Sequence, residues 1–283
     1  MKKKVFVFLF MAGIALGFYV ALSRNDAHAV SVASTIDGQP TDVLIGRGDS
    51  CMSMPRLVRG QRGQVITHTA FTVCWNADWN IPNWVAYELL PSETDGDEKR
   101  KESFEPDPQV VGERIVHKDY KNDLGYDRGH IAPAADMKWN KQAMRESFYT
   151  SNICPQNHNL NSGDWKHLEE YVRLCANTFG GLWVVSGPIV NGTDFTIGND
   201  RKIVVPEAFY KVLLVQVDGQ HMGIAFVMKN KPRDGKWSLS HYAVTIDSVE
   251  SLTGIDFFSD MDDEVEQTFE GGYDVTAWML QDE

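Results

Sequence analysis

The chain has 283 residues, 43% of them hydrophobic and 11% aromatic, which fits a globular protein with a substantial core and excludes a disordered or low-complexity polymer. Its formal charge of −12 is unevenly placed: residues 241–283 hold twelve Asp or Glu and no Lys or Arg, whereas residues 114–175 hold nine basic and eight acidic side chains. That distribution excludes a broad basic face and tight, salt-resistant binding of polyanions. It leaves room for transient binding at a site where a few arginines and a cation neutralise phosphate.

From the N-terminus, Lys2-Lys3-Lys4 is followed by an uncharged apolar run over residues 5–22 and by Ala27-His28-Ala29. This is the pattern of an export signal cleaved after Ala29, or of a retained N-terminal anchor if it is not cleaved. Either form predicts an exported protein: periplasmic, secreted, or held by a membrane outside the cytoplasm. Cys51, Cys74, Cys154 and Cys175 fit such a setting, and four cysteines allow three pairings. A Cys154–Cys175 bridge would tether the segment between them; buried thiols are the alternative. Residues 30–54 read as a lead-in, and residues 55–283 as one domain with an acidic C-terminal end, since no linker rich in Pro, Gly or Ser interrupts them.

Within that domain, residues 67–75 and 83–90 alternate as strands around turn material at 76–82. Residues 91–108 form a charged loop containing Lys99-Arg100-Lys101. Residues 125–133 read as a strand and turn, and 140–148 as a short helix. Ser162 or Asp164 caps a helix to about residue 177, with Trp165, Leu168, Val172 and Cys175 on its buried face. Residues 182–190 are a buried strand. Residues 212–217 and 222–228 make a hairpin about Asp218-Gly219-Gln220, and a short helix over 248–252 ends at Thr253-Gly254. The fold class is α+β.

The chemistry concentrates in Asp127-Arg128-Gly129-His130 and in Asn161, about thirty residues on. A phosphodiester repels nucleophiles, so a catalyst must deprotonate water and mask charge. Imidazole titrates near neutrality, which makes His130 a general base. In an extended segment Arg128 projects to the same side and can give paired hydrogen bonds to phosphate oxygens. Gly129 would admit a phosphate close to the backbone, and Asp127 would face away in a structural role. Asn161 offers a neutral oxygen suited to Mg²⁺, an ion that keeps most of its waters. In one continuous helix Glu169 would lie about two turns further on, roughly 12 Å along the axis, so it would reach such an ion only through water.

The run Asp127-Arg128-Gly129-His130-Ile131-Ala132-Pro133-Ala134-Ala135 resembles the signature of the DNA/RNA non-specific endonucleases. The resemblance extends through Ser151-Asn152-Ile153-Cys154-Pro155-Gln156, Leu160-Asn161-Ser162-Gly163-Asp164-Trp165, Leu168-Glu169, Asn83-Trp84-Val85-Ala86-Tyr87-Glu88 and Thr253-Gly254-Ile255-Asp256-Phe257-Phe258, roughly residues 55–260. It implies a ββα-metal fold with a central, mostly antiparallel sheet flanked by helices.

By that resemblance His130 is the general base, and Asn161 is the direct ligand of one Mg²⁺ or Mn²⁺ per active site. Glu169 and Asn152 order water and phosphate, and Arg128 stabilises the pentacovalent phosphate. Arg100 precedes Phe104-Glu105-Pro106-Asp107-Pro108 as a substrate-binding arginine would, although Lys99 and Lys101 compete for that assignment. The implied substrates are DNA and RNA, the implied products carry 5′-phosphates, and relatives often form homodimers. Two other readings stay open: an exported or anchored nucleic-acid-binding protein of the same fold with little activity, and a phosphodiesterase for small nucleotides. A membrane partner follows only from an uncleaved leader.

Overall fold

Seven antiparallel strands form the central sheet of the computed structural model, which describes residues 44–45, 52–53, 55–57, 62–101, 103–121, 124–198, 202–233 and 238–280. The expected leader of residues 1–29, most of the 30–54 lead-in, and Cys51 lie outside the described residues. Among the described residues, no helix is long and apolar enough to cross a membrane.

In chain order the principal strands are β1 (Gln64–Thr67), β2 (Thr72–Asn76), β3 (Ile81–Leu89), β4 (Tyr126–His130), β5 (Ile153–Asn157), β6 (Leu182–Ile189), β7 (Ala208–Val217), β8 (Gln220–Lys229) and β9 (Ala243–Val244). The helices are α1 (Lys141–Ser147), α2 (His158–Ser162), α3 (Asp164–Phe179), α4 (Ile246–Thr253) and α5 (Asp263–Glu270). The sheet order is β9-β8-β7-β6-β3-β2-β1. β4 and β5 stand apart from it as a two-stranded antiparallel pair.

Both faces of the sheet are covered, so its middle strands read as continuous apolar runs rather than alternating ones. One core packs Val85, Tyr87, Val184, Phe209 and Leu213 against Trp165, Leu168 and Val172 of α3. The other packs Trp84, Val185, Tyr210 and Val212 against Ile246 and Val249 of α4 and Phe269 of α5. The active-site elements thus lie on one face and the acidic C-terminal helices on the other.

Most sequence-based elements are present. Asn140 caps α1 by accepting from the backbone N–H of Gln142 and Ala143. Asp218 and Gly219, both at positive φ, turn β7 into β8 as a type I′ hairpin requires. All four residues expected on the buried face of α3 are buried.

Three expectations are corrected. Residues 67–75 are not one strand: the His68 N–H donates to the Phe71 carbonyl (2.8 Å), and the chain turns there between β1 and β2. The Cys154–Cys175 bridge does not exist; both thiols are free and buried, as is that of Cys74. Burial pushes Cys175 up to about 12 and Cys154 well above its ordinary value, so both act as small hydrophobes. Finally, α2 and α3 are separate helices, broken at Gly163 (φ −112°, ψ −110°). The continuous-helix spacing from Asn161 to Glu169 therefore does not hold.

Candidate active site

β4 is the strand that carries the motif, and its antiparallel pairing with β5 sets His130 opposite Ile153 at the inner end. His130 is 7% exposed, and its ring packs edge-on against Phe148 (4.8 Å between centroids) and tilted against Phe104 (5.4 Å). No group hydrogen-bonds its buried Nε2. Burial, reinforced by the nearby Arg100 charge, lowers its pKa to about 3. The imidazole is therefore neutral throughout the physiological range, with an unspent ring nitrogen: the state a general base needs.

Arg128 shares the aromatic shelf. Its guanidinium lies 5.1 Å from the Phe104 centroid, and its Nη1 donates to His117 Nε2 at 3.1 Å. Burial and then the Arg128 charge depress His117, which keeps it a neutral acceptor. Phe104 thus touches both Arg128 and His130, as expected for alternate residues of one strand. Arg100 reaches the same place from the charged loop, 5.3 Å from the Phe148 centroid. Lys101 instead pairs with Glu105, which Arg145 also engages at 3.3 Å. This separates Arg100 from at least one of its lysine neighbours.

Asp127, on the other side of β4, has a specific task. Its Oδ2 accepts from Asn161 Nδ2 and from His158 Nδ1, both at 2.9 Å. Holding the amide nitrogen leaves the Asn161 carbonyl oxygen as the donor available to a cation. Glu169 is half-buried on α3; burial raises its carboxyl and the buried Lys211 opposes the rise. A fixed neutral amide oxygen and a carboxylate fit a hard divalent ion that keeps its waters.

Behind Glu169 lies a charged network that sequence reasoning missed. Arg173 donates to Asp136 (2.8 Å), and Tyr87 donates to the other oxygen of Asp136 (2.8 Å). Lys211, with no exposed surface, donates to Ser186 Oγ (2.7 Å) and sits 4.8 Å from the Trp165 ring centroid. Burial lowers the Lys211 ammonium, and Glu169 opposes that. A single lysine inside the apolar strand β7 was the available signal, as was Arg173 one helical turn beyond Glu169.

Two expected roles change. Asn152 is fully buried, and its amide is spent on backbone: Nδ2 donates to Ala132 O and Ser147 O, and Oδ1 accepts from Ala132 N, all within 2.9 Å. It braces the turn after His130 and does not face phosphate. Gly129 makes room for the opposite strand instead of a phosphate, since a Cβ there would fall 2.2 Å from Gln156 Oε1. Both polar atoms of that buried Gln156 side chain lack hydrogen-bond partners. Beside the α2–α3 junction, a cleft of about 240 Å³ is lined by Leu160 and Asp164 and by Lys229, Lys231 and Arg233.

The family model for DNA/RNA non-specific endonucleases matches residues 55–264. The Xenopus laevis protein named "Nuclease EXOG, mitochondrial" is 36% identical over 195 residues, which covers 64% of this chain and 54% of that one. Human "Endonuclease G, mitochondrial" is 31% identical over 207 residues, 69% of each chain. "Mitochondrial nuclease" of Saccharomyces cerevisiae is 33% identical over 209 residues, covering 66% of this chain and 63% of that one. The match thus spans little more than half the length of the frog relative. Among solved structures, "Crystal structure of the EndoG/EndoGI complex: Mechanism of EndoG inhibition" superposes with a TM-score of 0.66 at 26% identity, covering 71% of this chain and 88% of that one. The expectation of an exported protein is corrected by these relatives, whose names place them in mitochondria and point away from export.

Proposed function

The chain belongs to the DNA/RNA non-specific endonuclease family, and from that membership we propose that it hydrolyses phosphodiester bonds in both DNA and RNA. The observation that carries the reading is His130: a neutral, buried imidazole against Phe104 and Phe148, on which Arg100 acts, on the strand whose Asp127 clamps the Asn161 amide. Mg²⁺ or Mn²⁺, one per active site, held by Asn161 directly and by Glu169 through water, would supply neutralisation of the phosphate and of the departing oxygen.

In this reading the neutral His130 imidazole takes a proton from water as its oxygen bonds to phosphorus in line with the bond to be broken. The P–O3′ bond breaks, and the departing oxygen takes a proton from solvent water, leaving a 3′-hydroxyl and a 5′-phosphate. Arg128 and Arg100 hold the non-bridging oxygens, and their aromatic supports, Phe104 and Phe148, fix where those charges sit. Asn152 and Asp127 position, respectively, the turn after the base and the metal-binding amide. No step uses a 2′-hydroxyl, so ribose and deoxyribose are both cut. The cleft with Lys229, Lys231 and Arg233 would take flanking phosphates. A homodimer, implied only by the family resemblance, is tested by light scattering in solution.

The deciding experiment treats supercoiled plasmid and RNA with the full chain in Mg²⁺, in Mn²⁺ and in EDTA, beside His130→Ala and Asn161→Ala. Degradation of both polymers that needs the metal and fails in both variants is expected. No cleavage with any divalent metal would favour a binding protein of the same fold, and cleavage surviving in His130→Ala would remove the base from the mechanism.

A further inference from the structure

On the sheet face opposite the proposed active site, carboxylates from α4 and α5 converge. Asp247 and Glu250 stand on α4 and Glu270 ends α5, and one carboxylate oxygen from each lies within 4.8 Å of the others. Two oxygens on opposite sides of a Ca²⁺ ion, at about 2.4 Å each, are separated by about that much. We propose that Asp247, Glu250 and Glu270 form a second divalent-cation site, selective for Ca²⁺ over Mg²⁺, that ties α5 to α4.

Acidic residues gather on many surfaces without holding an ion, so the argument rests on Glu270. The residue is only 8% exposed, and its Oε1 is enclosed with no hydrogen-bond donor. A buried, unpartnered carboxylate oxygen is costly unless something supplies positive charge. The neighbours supply the opposite. Glu250, Glu266, Asp247 and Asp256, all acidic, are the charges that act on Glu270. Asp247 Oδ2 lies 3.5 Å from where a Cβ on Gly271 would be, close to the C-terminal end of α5. That end carries partial negative charge, and the last turn of α5 holds no basic residue.

The chemistry selects the ion. Only oxygen donors are present, and the set is irregular: Glu250 already receives the Phe257 N–H on Oε1 (2.8 Å), while Asp247 is exposed and able to adjust. Ca²⁺ accepts such flexible sets and completes its shell with water, whereas Mg²⁺ demands a near-ideal octahedron. The site also gives a purpose to part of the acid concentrated after residue 241, which charge pattern alone assigns to a solvated surface.

The test is calorimetric titration of the metal-stripped full chain with Ca²⁺ and with Mg²⁺, repeated in an Asn161→Ala background where the proposed catalytic ion is lost. Ca²⁺ should still bind that background and raise its Tm. Glu270→Gln and Asp247→Asn should each weaken Ca²⁺ binding by about tenfold or more and remove the Ca²⁺-dependent rise, because affinity follows the count of charged ligands. Both variants should keep wild-type nuclease activity. The proposal is overturned if Asn161→Ala binds no Ca²⁺, if Mg²⁺ binds there equally well, or if neither substitution changes the titration. An additional control, Glu98→Gln on the charged loop, should leave the titration untouched.

Discussion

His130 buries an imidazole between two phenylalanines at a cost that depends on pH. Its folded pKa of about 3 lies below the ordinary 6.5, so unfolding favours the protonated form. The associated stability is fully present above pH 6.5 and is lost as pH falls from 6.5 towards 3. His130→Phe, which keeps an aromatic ring on the Phe104 and Phe148 shelf, should therefore be inactive yet show flatter stability from pH 6.5 to 4. Urea unfolding across that range checks it, and parallel pH profiles for variant and parent would mean that His130 is not buried as a neutral base. The neighbouring glycine has an equally local consequence. A Cβ at position 129 would lie 2.6 Å from Gln156 Cβ as well as against its amide. Because Cβ is no flexible tip, β4 and β5 must separate, and Gly129→Ala should lose about 2 kcal/mol in denaturant unfolding through overpacking. An unchanged midpoint would show that the strand pair yields freely.

Between elements, the site is held together by amides spent on backbone and carboxylate. Asp127 carries the α2 amide of Asn161 on β4. Asp127→Ala should leave the protein folded while raising the Mg²⁺ concentration for half-maximal activity by about tenfold, the usual effect of removing a group that orients a metal ligand. Loss of kcat with an unchanged metal requirement would assign Asp127 elsewhere. Asn152, just before β5, is tied to Ala132 after β4 by two buried hydrogen bonds and to Ser147 at the end of α1 by a third. Asn152→Ala should cost about 2 kcal/mol or more, because it strands buried backbone groups. Thermal unfolding reads that directly, and an unaltered Tm with lost activity would return Asn152 to the phosphate. The sequence made elements legible wherever a local rule set them: the Asn140 cap, the Asp218-Gly219 turn, the left-handed Gly254 that ends α4 (φ 69°). It hid what tertiary contact sets. The alternation of residues 67–75 runs straight through the turn at 68–71, and the break at Gly163 follows from a backbone approach: a Cβ there would meet the Asn159 carbonyl at 2.5 Å. The types of the site residues were readable from the motif. The work of Asp127 and Asn152 was not, because it depends on partners twenty to thirty-four residues away in the chain.

At the scale of the whole molecule, charge is sorted by sheet face. The arginines of the proposed active site lie with α3, while α4 and α5 carry the acidic C-terminal stretch on the other face. Under the proposed function, a polyanion would be repelled from the acidic side and admitted on the other, so the net charge of −12 would orient encounter more than prevent binding. Asp262, Asp263 and Glu264 are exposed at the start of α5, far in sequence from every residue assigned to chemistry. Replacing them by Asn, Asn and Gln removes three negative charges, at a small loss of favourable interaction with the helix N-terminus. Since only the long-range field changes, kcat should hold while kcat/KM for long DNA rises about two- to fivefold at low ionic strength. With a screening length of about 3 Å in 1 M salt against about 30 Å at 0.01 M, the gain should vanish as salt is added. Steady-state cleavage of a long duplex and of a dinucleotide across that salt range distinguishes steering from contact. A gain that persists at high salt, or that appears equally with the dinucleotide, would mean that these residues touch the site and that the two faces are not electrostatically separate.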